Sequence, residues 1–282
     1  MRILSSDDVD EYAGAVRGFL EAEPCARNVL LSVIDSLQSA PEVYPLPASF
    51  WWVTDSETVV GAASWTPPHP LLVSSMPAAA GPGVAAAMLE RSIALSIHPP
   101  GVNGPLESAR VVARAWTDAT EDTVVRERTM LLHELGGLVD VPRPSGSRRR
   151  AEPYDVGLIA AWLDEFAAEV QIIAGYDSTV TARRLVQDGL ADLWIEGGQP
   201  VCLVGHRVAA GVLRVGPVYT PPEHRNRGYG RRLTYEVTAA EMARPEVRQS
   251  MLFTDADNPV SNSIYRQAGY EPRGEHVEIE FA

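Results

Sequence analysis

The sequence has no lysine, and all 24 of its basic residues are arginine. Catalysis through a lysine amine or a Schiff base is therefore excluded. Cysteine is nearly as rare. Cys25 and Cys202 are far apart in the sequence, so they predict neither a disulfide framework nor a paired-cysteine metal site. The six histidines show no His-x-x-x-His spacing, and we predict no bound metal.

Long apolar runs are also missing, since none approaches the roughly 20 residues that a membrane-spanning helix needs. The first residues, MRILSSDDVDEY, turn acidic at once, which does not fit a signal peptide. These two features predict a cytoplasmic protein without a membrane partner.

The net charge of -13 is spread evenly, because residues 1–151 carry 18 acids and 12 arginines and residues 152–282 carry 19 and 12. Nucleic-acid-binding proteins usually show a basic surface, so neither half predicts a nucleic-acid partner. The acidity mildly favours a cationic partner through electrostatic steering.

A chain of 282 residues exceeds one typical domain and suggests two. Near its middle, the segment 141–150 is polar, contains two prolines and has no hydrophobic period. We therefore predict one domain over 1–140, a linker over 141–151 that includes the solvated run Arg148–Arg150, and a second domain over 152–282.

The second half shows a clear order of elements. Apolar periodicity predicts helices, then a meander of strands, and finally a closing strand. The predicted segments are helices over Tyr154–Val170 and Asp177–Asp188, strands over Asp192–Glu196, Val201–Arg207 and Val208–Tyr219, and a last strand over His276–Phe281.

The first half repeats this order more faintly. Its predicted segments are helices over Asp7–Leu20, Arg27–Leu37, Val84–Ile97 and Glu107–Trp116, and strands over Phe50–Thr54, Thr58–Trp65 and Val124–Glu134. The tripeptide Thr-Pro-Pro follows both Trp65 and Tyr219. We interpret the two halves as an internal duplication. The alternative is an unrelated α/β domain in which the tripeptide recurs by chance.

The segment from Val218 to Gly230 carries the strongest local pattern. A strand end is followed by two prolines, by Arg225-x-x-Gly228-x-Gly230, and by a helix. The first amides of a helix lack internal partners and carry the positive end of its dipole, so they bind anions readily. Four arginines at 225, 227, 231 and 232 add a local basic cluster that suits a compact polyanion.

A second pattern follows the apolar run Met251–Phe253. Asn258 and a proline begin a short helix that contains Tyr265, and Gly269 ends it. Asn258 can serve simply as the helix cap, and Tyr265 as a core aromatic with its hydroxyl at the edge.

Together the two patterns resemble the GNAT superfamily of N-acetyltransferases over roughly residues 190–281. Its pyrophosphate signature, R/Q-x-x-G-x-G/A, is matched by Arg225, Gly228 and Gly230. Its later signature is matched by Asn258, Ser261, Tyr265, Gly269 and Tyr270. The resemblance implies an α/β (α+β) fold of the tandem-GNAT type. Each of two GNAT-like domains would have a central, mostly antiparallel mixed sheet flanked by helices, and the N-terminal one would have lost its phosphate turn.

The resemblance also implies acetyl-CoA as co-substrate. The residues expected to bind it are Val218, Tyr219, Thr220, Arg225, Asn226, Arg227, Gly228, Tyr229, Gly230, Arg231 and Asn258. An amide near Val218 would polarise the thioester carbonyl, and Tyr265 would protonate the leaving thiolate. A tyrosine with a pKa of about 10 is protonated at neutral pH and can donate.

The general base is open, because the central strand over 211–220 lacks the glutamate that some family members carry there. Glu165, Asp255 and Asp257 could act through water, and His206 could also serve. A capping, surface or structural role is the ordinary alternative for each.

These patterns predict an acetyl-CoA-dependent N-acetyltransferase that modifies a primary amine of a small molecule or peptide by direct transfer in a ternary complex. A non-catalytic CoA-binding sensor or scaffold and a transferase of longer acyl groups stay open as alternatives. Either a monomer or a homodimer fits the sequence.

Overall fold

The computed structural model of the chain describes residues 1–171 and 177–282. These residues form two compact units. The first unit comprises Met1–Leu131 and Gly274–Ala282, and the second comprises residues 132–171 and 177–273. No helix within the described ranges combines the length and the apolar character that crossing a bilayer requires.

The first half of the described chain contains ten α-helices and β-strands. They are β1 (Arg2–Ser6), α1 (Val9–Glu21), α2 (Asn28–Ser39), β2 (Ser49–Asp55), β3 (Thr58–Trp65), β4 (Leu71–Val73), α3 (Gly81–Leu95), β5 (Gly101–Pro105), α4 (Leu106–Ala119) and β6 (Val124–Leu135).

Ten more elements follow in the same order of type. They are β7 (Ser147–Arg150), α5 (Val156–Val170), α6 (Ser178–Gln187), β8 (Ala191–Glu196), β9 (Gln199–Ala209), β10 (Val212–Tyr219), α7 (Tyr229–Met242), β11 (Gln249–Asp255), α8 (Pro259–Gln267) and β12 (Tyr270–Phe281). The predicted helices and strands are present, and the one-to-one order of the two sets supports the internal duplication.

Each unit has a mixed sheet in which one adjacent pair is parallel, β4 with β5 in the first unit and β10 with β11 in the second. The neighbouring hairpin pairs are antiparallel. The strand order is β1-β2-β3-β4-β5-β12-β6 in the first unit and β12-β6-β11-β10-β9-β8-β7 in the second. The α/β class with central mixed sheets flanked by helices is therefore confirmed.

Strands β6 and β12 each contribute to both units. Residues 276–280 of β12 pair antiparallel with residues 101–105 of β5 inside the first unit. Residues 132–135 of β6 belong to the second unit. The first unit therefore contains a strand segment, residues 274–281, that lies far from its other strands in the sequence.

Alternation along β9 and β10 separates two apolar layers in the second unit. Cys202 and Val204 pack in the cluster under α7, whereas Leu203 packs in the cluster under α5 and α6. Successive side chains of a strand point to opposite faces, so Val218 lies on the α7 face and Tyr219 on the α5 face. The end of β10 thus presents a different residue to each face of the sheet.

The predicted linker is wrong for residues 147–150, because they form β7 and pair with β8. Arg148 donates to Asp192 at 2.7 Å, and Arg149 donates to Asp155 at 2.8 Å. Both carboxylates belong to elements later in the chain and are buried. Composition alone predicted a linker because it does not show that the run forms a strand or that Arg148 pairs with a carboxylate 44 residues later.

The Thr-Pro-Pro recurrence does not mark equivalent positions. After Trp65 it lies between β3 and β4, whereas after Tyr219 it lies between β10 and α7. The tripeptide therefore gives no support to the duplication, which depends on the order of elements instead.

Candidate active site

The parallel strands β10 and β11 separate at their carboxyl ends. The two strands pair over Val212–Val215 and Gln249–Leu252, and both continue beyond this pairing, β10 to Tyr219 and β11 to Asp255. Relative to β9, β10 carries one extra residue between Val215 and Val218, which is a β-bulge. A bulge bends its strand and locally interrupts the ladder. Carboxyl ends of parallel strands are also where open α/β sheets bind ligands.

A tight turn joins this strand end to α7. Asn226 and Gly228 both have positive φ angles, of 61° and 81°. Gly228 is the residue that precedes the helix, and no side chain caps its first amides. A glycine is favoured at that φ angle, and the uncapped amides are available to an anion. The geometry of the pyrophosphate signature is therefore that of an anion site.

Gly230 lies in the first turn of α7, where the protein has room for a Cβ but no open space. A Cβ built there would approach Thr220 Oγ1 and Val218 Cγ1 at 3.5 Å and Cys202 Sγ at 3.9 Å. These are ordinary van der Waals contacts, so the packing of the protein does not require a glycine at this position. A diphosphate that must reach the main chain would require one, and the residues present fit such a group.

The corresponding helix start in the first unit is filled by protein side chains. Gly81 and Gly83 begin α3 with the same spacing, and Ala78 stands where the signature would have its arginine. A Cβ on Gly81 would lie 2.4 Å from Val111 Cγ1, and one on Gly83 would lie 2.3 Å from Ile3 Cδ1. This remnant was missed in the sequence. It shows that the N-terminal half keeps two glycines at the helix start, where side chains of the protein now leave no room for a Cβ.

Arg225 is held by its own unit. Its Nε donates to the carbonyl of Thr220 at 2.9 Å, its guanidinium lies 5.9 Å from the ring centroid of Tyr219, and its Nη2 pairs with Glu169 on α5. The guanidinium is therefore fixed beside the start of α7, with a carboxylate in the place where an anionic ligand could bind.

The other arginines of the cluster have different surroundings. Arg227 donates to the carbonyl of Glu223, and Arg231 donates to Gln267. The Nε of Arg231 is buried and has no hydrogen-bond partner among the described residues. Arg232 pairs with Asp140 and Glu236, so its role is structural.

Tyr265 packs against the α7 cluster and meets the ring of Tyr270 edge-on at 6.3 Å. Burial raises the pKa of Tyr265, and Cys202 and Tyr270 raise it further. The hydroxyl therefore stays protonated at neutral pH, while the raised pKa makes it a weaker proton donor, and its role as the acid stays a prediction.

The Cys202 thiol lies on the same face of the sheet. It accepts a hydrogen bond from Thr220 Oγ1 at 3.2 Å, and burial raises its pKa to about 12. A thiol that is protonated at neutral pH is a poor nucleophile. Cys202 is therefore a packing residue under the turn.

Asn258 caps α8, because its Oδ1 accepts from the amide of Ser261 at 3.0 Å. This is the ordinary role given above as the alternative, and contact with the pantetheine arm stays a prediction.

The four candidate bases have different surroundings. His206 Nε2 lies 3.1 Å from Asp192 Oδ2, and both side chains are only 1% exposed, which indicates a structural pair. Asp255 accepts from the amide of Asp257 at 2.8 Å in a turn. Glu165 accepts from the hydroxyl of Tyr219 at 2.6 Å. Of these candidates, Glu165 is the one joined by a hydrogen bond to β10.

Comparisons with known proteins agree with this architecture. Residues 195–279 match the model of the family described as FR47-like protein. No match was found among curated protein sequences.

Several solved structures share the fold. A tandem GNAT protein from the clavulanic acid biosynthesis pathway is 16% identical, covers 100% of this chain and 98% of its own, and has a TM-score of 0.59. A GCN5-related N-acetyltransferase from Sphaerobacter thermophilus is 16% identical over 99% and 95%, with a TM-score of 0.61. A GNAT-family acetyltransferase from Colwellia psychrerythraea is 11% identical over 100% of both chains, with a TM-score of 0.58.

The expected resemblance is confirmed by these matches and by the altered helix start of the first unit. The chain has the fold of a tandem GNAT protein with a degenerate N-terminal half, and its second half contains the segment that matches the FR47-like family.

Proposed function

We propose that this chain is an acetyl-CoA-dependent N-acetyltransferase that acetylates a primary amine of a small molecule or peptide by direct transfer in a ternary complex. One observation carries the proposal. At the carboxyl end of the separated strands, the uncapped start of α7 has a glycine, Gly230, that protein packing does not require.

When bound, acetyl-CoA would supply the acetyl group as a thioester, with a thiol as leaving group. The turn residues Arg225, Asn226, Arg227, Gly228, Tyr229, Gly230 and Arg231 would hold its diphosphate. The strand-end residues Val218, Tyr219 and Thr220, together with Asn258, would hold the pantetheine arm. An amide near Val218 would polarise the carbonyl, because backbone donors fixed beside developing negative charge lower the barrier to acyl transfer.

Tyr265 would donate a proton to the departing sulfur. Two features support transfer without a covalent enzyme intermediate: the chain has no lysine, and the thiol of Cys202 has a pKa of about 12. Neither a lysine amine nor the Cys202 thiol is therefore present as a nucleophile to receive the acetyl group at neutral pH.

Calorimetric titration with acetyl-CoA, followed by an amine panel, tests the proposal. We expect about one site per chain, since the corresponding helix start of the first unit is filled. We also expect that Tyr265→Phe lowers turnover while cofactor affinity stays nearly unchanged. Failure of the wild-type protein to bind acetyl-CoA would refute the function.

The alternative is a non-catalytic CoA-binding sensor or scaffold. It is favoured by the absence of a carboxylate from β10 and by the engagement of Arg225 with Glu169. Tight binding of acetyl-CoA with no turnover of any amine would support it. Acetylated product that disappears in Tyr265→Phe would exclude it.

A further inference from the structure

The end of β10 carries no carboxylate, but a helix supplies one from outside the strand. The hydroxyl of Tyr219, the last residue of β10, donates to Glu165 Oε2 on α5 at 2.6 Å. Tyr219 is only 3% exposed. Burial, followed by the hydrogen bond to Glu165, raises the pKa of Tyr219, so this hydroxyl stays protonated and keeps donating.

The charge of Glu165 is not neutralised by the neighbouring arginine. Arg225 lies against the same tyrosine ring, but it pairs with Glu169, one helical turn further along α5. Among the described residues, the hydrogen-bond partner of Glu165 is the neutral hydroxyl of Tyr219. Glu165 is also exposed. A fixed, accessible and uncompensated carboxylate favours a cationic ligand.

The position of Glu165 fits the proposed acetyl transfer. Tyr219 follows Val218 directly, and the amides near Val218 are those assigned to the thioester carbonyl. The pairing of β10 with β11 ends four residues before Tyr219. Glu165 therefore stands on the α5 face beside the place where the strands separate, while Tyr265 packs on the α7 face.

We propose, resting on the acetyltransferase function above, that Glu165 binds the ammonium group of the acceptor and takes its first proton, with Tyr219 as its positioning residue. The acceptor class is then a primary amine that is cationic at neutral pH. Glu165 would do the work of the glutamate that β10 lacks, from a helix instead of the strand.

Two protons leave the acceptor nitrogen during the proposed acetyl transfer. Glu165 accepts one proton from the ammonium, directly or across one water. The amine nitrogen then forms a bond to the acetyl carbon, and the bond between that carbon and sulfur breaks. The second proton lost by nitrogen replaces the one that Tyr265 gives to sulfur. Glu165, being exposed, returns its proton to solvent.

The test compares two kinds of acceptor in the full-length protein. For Glu165→Gln we expect kcat/KM to fall about 100-fold with an aliphatic primary amine, the usual size of a general base contribution. With an aromatic amine, which is uncharged at neutral pH, we expect a much smaller fall. The Kd for acetyl-CoA should be unchanged by calorimetry.

Three further variants test whether the effect is specific to the Glu165 carboxylate and its contact with Tyr219. Glu165→Asp should recover part of the activity, and Tyr219→Phe should raise KM for the aliphatic amine more than it lowers kcat. Asp164→Asn removes a charge from the adjacent exposed position of α5 and should behave as wild type.

Two results would overturn the assignment. One is a folded Glu165→Gln variant with wild-type kcat/KM for the aliphatic amine. The other is an equal loss for both amines. If the wild-type protein binds no acetyl-CoA or acetylates no amine, the proposed function itself fails, and the role of Glu165 fails with it.

Discussion

At the scale of single residues, the two glycines of the pyrophosphate signature are favoured at their positions for different physical reasons. Gly228 is set by the backbone, because its φ angle is 81°. No contact in the protein requires a glycine at position 230, because a Cβ there would lie at ordinary van der Waals distances from its neighbours. The sequence pattern does not distinguish the two glycines. The structure shows that the backbone conformation favours glycine at 228, whereas protein packing does not require glycine at 230.

Replacing Gly230 by alanine should therefore separate binding from folding. Alanine in a helix is favoured over glycine by roughly 0.5–1 kcal/mol, so thermal stability should stay equal or rise slightly. The added methyl group would lie within 4 Å of Val218, Thr220 and Cys202, at the strand end expected to hold the pantetheine arm, and the Kd for acetyl-CoA should rise about tenfold or more, a cost of about 1.4 kcal/mol. Calorimetry and thermal unfolding measure the two effects.

The matched control is Gly228→Ala, which forces a non-glycine residue into the left-handed region and should lower stability by roughly 1–2 kcal/mol. If Gly230→Ala binds acetyl-CoA as tightly as the parent does, the first turn of α7 is not the cofactor site.

Substitutions at the two residues of the Arg225–Glu169 ion pair should change the affinity for acetyl-CoA in opposite directions. Arg225→Glu should weaken acetyl-CoA binding strongly, because it places an anion against the diphosphate. Glu169→Gln should tighten binding by a few-fold, because it removes a carboxylate that competes for the same guanidinium. Titrations at low salt would measure both changes. Weaker binding in Glu169→Gln would instead mean that this pair orients Arg225 for the ligand.

At the scale of elements, the helices and the meander were predictable because their signals are local. Apolar periodicity, Gly-Gly and Pro-Pro turns and caps such as Asn258 lie within a few residues of the elements that they define. Strand β7 was not predictable, since Arg148 finds Asp192 44 residues later. For the same reason, the signature motifs indicated the diphosphate turn, but the link from Tyr219 to Glu165 spans 54 residues and needed the structure.

The charges that hold β7 in place predict an acid-sensitive element. Burial raises the pKa of Asp192, but hydrogen bonds from His206 and Arg148 outweigh burial and hold this pKa below its ordinary value. The stabilisation is therefore fully present above the unfolded-state pKa of about 3.9 and is lost as pH falls through the lower folded-state pKa.

Asp192→Asn should cost about 3 kcal/mol at neutral pH, because it leaves Arg148, which is 18% exposed, without the buried carboxylate that it pairs with. It should also flatten the acid side of the stability curve. Denaturant unfolding at several pH values measures both effects. Asp188→Asn, at a half-exposed carboxylate, is the control and should stay close to wild type. An unchanged acid dependence in Asp192→Asn would place the acid sensitivity elsewhere.

At the scale of the whole molecule, the end of the chain completes the first unit. Val277, Ile279 and Phe281 belong to the core cluster of that unit, and the ring of Phe281 stacks on Trp116 at 5.8 Å. Arg126 and Arg128 on β6 pair with Glu280 and Glu278 on β12. The 131 residues at the N-terminus therefore depend on nine residues at the C-terminus to fill their sheet.

A chain ended after Arg273 should consequently lose order in its first 131 residues. Removing β12 residues 274–281 leaves β5 without its antiparallel partner and exposes the apolar face around Trp116. Hydrogen exchange should show lost protection over 101–105 and 124–131. The milder variant Phe281→Ala should lower stability by about 3–5 kcal/mol, as expected for a buried aromatic side chain. Retained protection in those strands after truncation would show that the first unit closes its sheet without the C-terminal strand. In that case the first unit would fold without the C-terminal strand.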